Sequence, residues 1–114
     1  MYIFRQYDAD KRLDRAWYSS SNIVYSECDD NLNALKTLRV TFKNGATYEY
    51  KDVDVNDYLM FMNGGLDGSN GKALNKFIKP KYEFEKLENL NVEELMKECE
   101  KLREKSDKKH EESE

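Results

Sequence analysis

The stretch that decides the fold is LKTLRVTFKNGATYEYKDV, residues 35–53. On both sides of Asn44-Gly45, apolar side chains alternate one by one with polar ones. The apolar positions are Leu38, Val40 and Phe42 before the pair, and Ala46, Tyr48 and Tyr50 after it. Such alternation is typical of a half-buried strand, and two runs joined through Asn-Gly predict a β-hairpin over residues 36–51.

The length of the hairpin loop follows from which residues would face each other. A two-residue turn would set Phe42 opposite Thr47 and mix apolar with charged residues on one face. A three-residue loop sets Phe42 opposite Ala46 instead, and its last residue must tolerate a left-handed backbone. Gly45 is that residue, so we predict the three-residue loop. The further pairs of this register are Leu38 with Tyr50, Arg39 with Glu49, and Val40 with Tyr48.

Other extended segments surround the hairpin. SNIVYSECDD (21–30) predicts a third strand, and KYEFEKL (81–87) predicts a further short one. Residues 1–18 form an N-terminal extension whose structure the pattern leaves open. YIFRQY (2–7) is compatible with an edge strand, while DADKRLDRAW (8–17) is compatible with a short helix.

Three segments have helical patterns. VDVNDYLMFM (53–62) has Asp54 as a candidate N-cap, and SNGKALNKFIK (69–79) begins after Ser69 and ends before Pro80. The third helix falls within residues 86–107, and we expect a disordered charged tail over 108–114. Its apolar stripe consists of Val92, Leu95, Met96, Cys99 and Leu102. We predict an α+β fold in which a small antiparallel sheet packs with two short helices and this C-terminal amphipathic helix. The stripe should either pack on the domain or mediate a homo-oligomer.

Composition narrows the function. The chain has 114 residues, enough for one small domain, and its net charge of −4 does not indicate a strongly basic nucleic-acid binder. Cys28, Cys99 and the single His110 fit no metal-ligand spacing, so we expect no metal or cofactor. Without an apolar run of spanning length or a signal-peptide pattern, we expect a cytoplasmic protein that does not enter a membrane. No acidic pair is flanked by a base or nucleophile, so we expect no enzyme.

The glycine-rich stretch NGGLDGSNGK (63–72) is not a phosphate-binding loop of the P-loop type. The first glycine of that motif would fall on Leu66, and its magnesium-binding hydroxyl would fall on Ala73. The stretch instead predicts a turn that starts a helix. The candidate binding residues for an anionic partner are the opening residues Ser69, Asn70 and Gly71, and the lysines Lys72, Lys76, Lys79 and Lys81. The alternative is that these lysines are a solvated helix face.

Aromatic residues offer a second candidate surface. The chain contains 8 tyrosines, and tyrosine is well suited to contact surfaces because it is amphipathic and loses little entropy on burial. Most of these rings should belong to the core. Trp17 and Tyr18, beside a serine-rich turn, are the pair that we predict to be exposed and to contact a partner.

Residues 19–85 resemble the KTSC domain, a family named for its place at the C-terminus of some lysyl-tRNA synthetases. The hairpin matches the pattern F-x-x-G-x-x-Y-x-Y with Phe42, Gly45, Tyr48 and Tyr50. A later pattern, S-x-G-K-x-x-N-x-x-I-K-x-x-Y, is met by Ser69, Gly71, Lys72, Asn75, Ile78, Lys79 and Tyr82. The chain departs from the family at Cys28, Asp54, and Ala73-Leu74, where tyrosine, proline and an aromatic pair are usual. We expect structural roles for Gly45, Phe42, Tyr48, Tyr50, Asn75 and Tyr82.

The resemblance implies no catalytic residue. The chain is similar to small stand-alone members found in bacteria and their phages, and the resemblance implies a role near RNA or in macromolecular contact. Our first hypothesis is a non-enzymatic module that binds a protein, as a phage-type protein that modulates or inhibits a host complex. The alternative is an RNA- or nucleic-acid-binding module that uses the Lys72, Lys76 and Lys79 helix face. The salt dependence of binding separates the two.

Overall fold

The computed structural model describes residues 2–19, 22–29, 35–65 and 68–112, with side chains up to residue 105. Within these ranges, six strands form one antiparallel sheet in which the spatial order is the chain order. The strands are β1 (Tyr2–Asp8), β2 (Leu13–Tyr18), β3 (Ile23–Asp29), β4 (Leu35–Phe42), β5 (Thr47–Asp54) and β6 (Phe84–Leu87). Together with the helices described below, this sheet confirms the predicted α+β class.

The β4–β5 hairpin has the predicted register. Leu38 pairs with Tyr50, Arg39 with Glu49, and Val40 with Tyr48. The Phe42 N–H donates to the Ala46 carbonyl at 2.9 Å, which closes the three-residue loop, and Gly45 lies at φ +88°. On the opposite face, Arg39 Nε donates to Glu49 Oε2 at 2.9 Å. A one-residue slip would have sent these apolar and charged groups to the same face.

The N-terminal extension is a second hairpin. β1 is an edge strand, as one of the two alternatives predicted, and the short helix over residues 8–17 is wrong because β2 occupies residues 13–18. The turn is local: Asp8 Oδ1 accepts the N–H groups of Asp10 and Lys11 at 3.1 and 3.2 Å. A side chain that bonds backbone N–H groups a few residues ahead makes a turn as readily as it caps a helix.

Two short helical segments lie between β5 and β6. Helix α1 (Val55–Met62) begins at Asp54, whose carboxylate accepts the Asn56 N–H at 2.8 Å. Helix α2 (Asn70–Ala73) begins at Ser69, whose Oγ accepts the Lys72 N–H at 3.3 Å, and it continues as one π-helical turn over Leu74–Ile78. Both predicted N-caps are thus confirmed, whereas the π turn was not expected.

The C-terminal helix α3 (Val92–Glu112) starts after Asn91, whose Oδ1 accepts the Glu94 N–H at 3.2 Å. It continues beyond residue 107, where the sequence placed its end, so the predicted disordered tail is wrong for residues up to Glu112; residues 113–114 lie outside the described ranges. Among the described residues, no helix has the length and apolar character needed to span a membrane.

The sheet is covered on both faces. One core cluster joins the sheet to α1 and the π turn, with Leu38, Val40, Phe61, Leu74 and Ile78 among its members. The other joins the sheet to α3: its buried members are Trp17, Val24, Tyr25 and Cys99, with Leu95, Met96 and Leu102 packed against them. The predicted packing of the α3 stripe is therefore confirmed, and it takes place within the chain.

Candidate functional site: an aromatic groove

A groove opens on the α1–α2 face of the sheet, where the β4–β5 hairpin and β6 extend past the end of the π turn. Its cavity measures about 610 Å³. We call it the aromatic groove and define it by the rings of Phe42, Tyr48, Tyr50 and Phe84 and by two lysines, Lys43 and Lys79. Asn22, Asn44 and Ala46 complete its lining.

The four rings form a continuous chain of contacts. Tyr48 lies edge-on to Phe42 and to Phe84, with centroid separations of 5.8 and 5.7 Å, and Tyr50 lies 6.1 Å from Phe84. The strands dictate this arrangement. Tyr48 and Tyr50 are two residues apart and share a face, and Phe84 stands opposite Tyr50 in the β5–β6 register.

The four rings differ widely in exposure. Tyr50 is 2% exposed, Phe42 and Tyr48 are half-buried, and Phe84 is 62% exposed. A large ring that contacts other rings and yet remains mostly in water belongs to an apolar patch, which is a common mark of a binding surface. The aromatic groove is therefore anchored in the core through Tyr50 and open to solvent at Phe84.

The charge of the groove is positive. Lys79 Nζ lies 5.5 Å from the centroid of the Phe42 ring, within the range of a cation–π contact, and Lys43 lies at the hairpin loop. Burial raises the pKa of Tyr50 to about 12, so that its phenol is neutral at pH 7. None of the described residues that line the groove is acidic, although the whole chain carries a net charge of −4.

Local backbone geometry fixes both lysine-bearing segments. At the hairpin, the Gly45 carbonyl accepts the Leu90 N–H at 2.9 Å, which ties the loop to the segment that precedes α3. At the other wall, the Lys79 N–H donates to the Leu74 carbonyl at 2.9 Å, a bond that spans five residues. This wider turn rotates Lys79 away from the position that an α-helix would give it, and π turns often occur at functional sites.

The structure does not place the predicted lysines on one common surface. Lys72, Lys76 and Lys79 are all exposed, but of these three only Lys79 lines the aromatic groove. Lys76 Nζ lies 5.5 Å from the Phe77 ring centroid. Lys81 Nζ lies 3.3 Å from Asp57 Oδ1, so that its charge is partly neutralised within the chain.

The residues that open α2 have structural contacts. Ser69 is the N-cap already described, and Gly71 is half-buried in the first turn. Asn70 is fully buried, and its Nδ2 donates to the carbonyls of Phe61 and Met62 at 2.8 and 3.1 Å. The Asn70 side chain therefore ends α1 and joins it to α2, and it is not available to a partner.

The predicted exposed pair Trp17 and Tyr18 is buried, so the prediction is wrong. Trp17 is 0% exposed, and its Nε1 donates to the Leu95 carbonyl of α3 at 2.9 Å. Tyr18 points to the opposite core, where its hydroxyl lies 2.7 Å from Ser26 Oγ. Burial raises the pKa of Tyr18. Because both faces of the sheet are covered, adjacent apolar residues on β2 are both internal.

Two motif residues have contrasting positions. Tyr82 supports α1: its hydroxyl donates to Asp57 Oδ2 at 2.5 Å and accepts the Asp54 N–H at 3.1 Å. Burial, and next the hydrogen bond to Asp57, raise the pKa of Tyr82. Asn75 is exposed, a position that does not identify it as a structural residue.

Sequence reasoning missed Lys43 and Phe84 as site residues. The sequence places Lys43 in the hairpin loop and Phe84 in a short strand, and no local pattern connects either residue with the tyrosines. The signal for Phe84 was the alternation in KYEFEKL, which places it on one strand face. Which face that is depends on the pairing of β6 with β5, and this pairing joins residues more than 30 positions apart.

A model of the KTSC domain matches residues 19–82 of the 114-residue chain. The chain belongs to the KTSC domain family. No curated protein matches it. The KTSC match starts directly after β2 and ends at Tyr82, beyond the π turn, so it contains Phe42, Tyr48, Tyr50 and Lys79. Phe84 and α3 follow the KTSC match, and β1 and β2 precede it.

The described residues of this KTSC protein contain no group of three or more His, Cys, Asp or Glu side chains that could hold a metal ion. The two cysteines are separate and buried: Cys28 lies in the core under α1, and Cys99 lies under α3. Burial raises the pKa of Cys99, which keeps this thiol protonated. Neither cysteine lines the aromatic groove.

Proposed function

We propose that this KTSC protein is a non-enzymatic module that binds another macromolecule in the aromatic groove. The observation that carries the proposal is that residues from two separate sequence patterns meet in one cavity. The two sequence patterns that relate the chain to its family are separated along the chain, yet Phe42, Tyr48 and Tyr50 of one and Lys79 of the other line the same cavity. Residues of one binding surface are expected to come together in this way.

The chemistry of the lining supports binding over catalysis. Among the described residues, the groove offers rings, amides and amines, but no carboxylate, imidazole or thiol that would relay protons for a substrate. The energy available to it comes from the burial of apolar ring surface and from the two amines. At about 25 cal/mol per Å², covering a largely exposed ring contributes substantially to an interface.

A capture experiment tests the proposal. The immobilised protein is exposed to a bacterial lysate, with and without nuclease, beside the variants Phe84→Ser and Ile3→Ser. Both residues are large, apolar and exposed (62% and 40%), but Ile3 lies on β1, outside the groove. We expect Phe84→Ser to lose the captured macromolecule and Ile3→Ser to keep it. Equal capture by Phe84→Ser and the unmodified protein would refute the groove as the binding surface.

A further inference from the structure

We infer that the ligand of the aromatic groove is single-stranded nucleic acid, with a base stacked on Phe84 and the backbone phosphates held by Lys43 and Lys79. This inference rests on the proposed function and names its partner. Three features of the groove lead to this inference: a solvent-exposed aromatic ring, positive charge on the groove face of the sheet, and a limited size.

The open ring is Phe84. Tyr48 and Tyr50 contact it from within the groove, with centroids 5.7 and 6.1 Å away, and hold it in place. Since 62% of Phe84 remains exposed, ring surface is left free on the outer side. Bases of a single strand stack on such rings irrespective of sequence, because every base has a π face.

The charge distribution separates the two faces of the sheet. Lys86 stands opposite Tyr48 in the β5–β6 register and so belongs to the groove face, with Lys43 and Lys79. Glu49 and Glu85 stand opposite each other at the intervening position, so that strand alternation sends both carboxylates to the other face. A ligand in the groove therefore meets amines without nearby carboxylates, although the protein as a whole is acidic. This charge distribution favours a negatively charged ligand.

The size of the groove selects the form of the nucleic acid. A cavity of about 610 Å³ suits a group with the dimensions of a small ligand, such as one nucleotide of a strand. In a duplex, the base faces are hidden in the stack and cannot reach Phe84. A single strand offers both accessible base rings and phosphates, whereas an acidic peptide offers negative charge but no bases.

Fluorescence anisotropy with labelled oligo-dT and oligo-U of 12 nucleotides tests the inference at low salt. Phe84→Ala removes the stacking ring, and by the usual size of a base–aromatic contact the affinity should fall roughly 5- to 150-fold. Lys79→Gln should weaken binding and reduce the slope of log affinity against log salt by about 0.7, the value for one phosphate contact on a single strand. The matched controls are Ile3→Ala and Lys72→Gln, an exposed residue of each type outside the groove.

The controls should bind like the unmodified protein, and a duplex of the same length should bind more weakly than either single strand. The preference between the two oligomers identifies DNA or RNA as the source of the strand. An equal loss in Lys72→Gln and Lys79→Gln, or an unchanged affinity in Phe84→Ala, would overturn the inference.

A polyglutamate peptide that competes as well as the oligonucleotides would also overturn it. If no oligonucleotide binds, while the lysate still yields a Phe84-dependent protein, the groove is a protein-binding surface. In that case the proposed function stands and the nucleic-acid inference is wrong. If neither ligand is captured in a Phe84-dependent manner, both are wrong.

Discussion

Lys79 Nζ lies 5.5 Å from the centroid of the Phe42 ring, and this contact joins the end of the π turn to the end of β4. The ring is half-buried and the ammonium is exposed, so the contact lies at the boundary between core and solvent. It brings together one residue from each of the two KTSC patterns. Lys72 and Lys76, on the same helical segment, do not line the aromatic groove.

This contact predicts a stability difference between two lysines. Lys79→Ala should lower the free energy of unfolding by about 0.5–1 kcal/mol, the usual worth of an exposed cation–π pair. Lys72→Ala should change it by less than about 0.5 kcal/mol, as is usual for a surface residue without such a contact. Urea unfolding followed by circular dichroism measures both. Equal effects would show that the Phe42 contact contributes nothing to the fold.

Gly45 and Gly68 form a matched pair of glycines. Both have positive φ, +88° and +72°, but a Cβ on Gly45 would lie 2.6 Å from the Leu90 carbonyl oxygen, while one on Gly68 would meet nothing within 4 Å. Gly68→Ala should therefore cost only the backbone strain, about 1 kcal/mol. Gly45→Ala should cost clearly more, and Gly45→Val more again, because the β4–β5 loop must also separate from Leu90. Thermal unfolding compares the variants, and equal costs for the two alanine substitutions would contradict the steric argument.

Helix α3 covers the single tryptophan of the chain. In the intact fold Trp17 is 0% exposed and has no contact with water. Removing residues 90–114 should expose its ring to water and shift its fluorescence emission to longer wavelength. The loss of the apolar contacts made by Leu95, Met96, Cys99 and Leu102 should lower stability by about 3 kcal/mol or more. Removing residues 106–114 alone is the control, since these four residues remain. An unshifted emission after the longer truncation would contradict the packing of α3 on the sheet.

Alkaline pH should destabilise the fold through its buried phenols. Burial raises the pKa of Tyr50 to about 12, compared with about 10 in an unfolded chain. A raised pKa in the folded state means that the neutral phenol is favoured there, so its contribution is complete below pH 10 and is lost as the pH rises from about 10 to 12. Tyr50→Phe removes this titration. Urea unfolding at pH 9 and pH 11 should show a smaller alkaline loss for Tyr50→Phe than for the unmodified protein, and equal losses would contradict the prediction.

Features that depend on near neighbours followed from the sequence. The β4–β5 register, the left-handed Gly45 and the N-caps Asp54 and Ser69 are all as predicted. Each is decided within a few residues, by side-chain alternation, by the steric freedom of glycine or by a side chain that bonds the next turn. The apolar stripe of α3 belongs to the same class, because its helical period is local.

The aromatic groove and the two sheet faces were decided only by the tertiary structure. Trp17 and Tyr18 look like an exposed pair in sequence, and they are buried because α3 covers one face of β2 and the α1–α2 layer covers the other. Phe84 becomes a neighbour of Tyr48 only when β6 pairs with β5, and Lys79 reaches the groove only because the π turn rotates it. Local patterns determine which side chains share a face, but what covers that face depends on contacts between distant segments, which no local pattern contains.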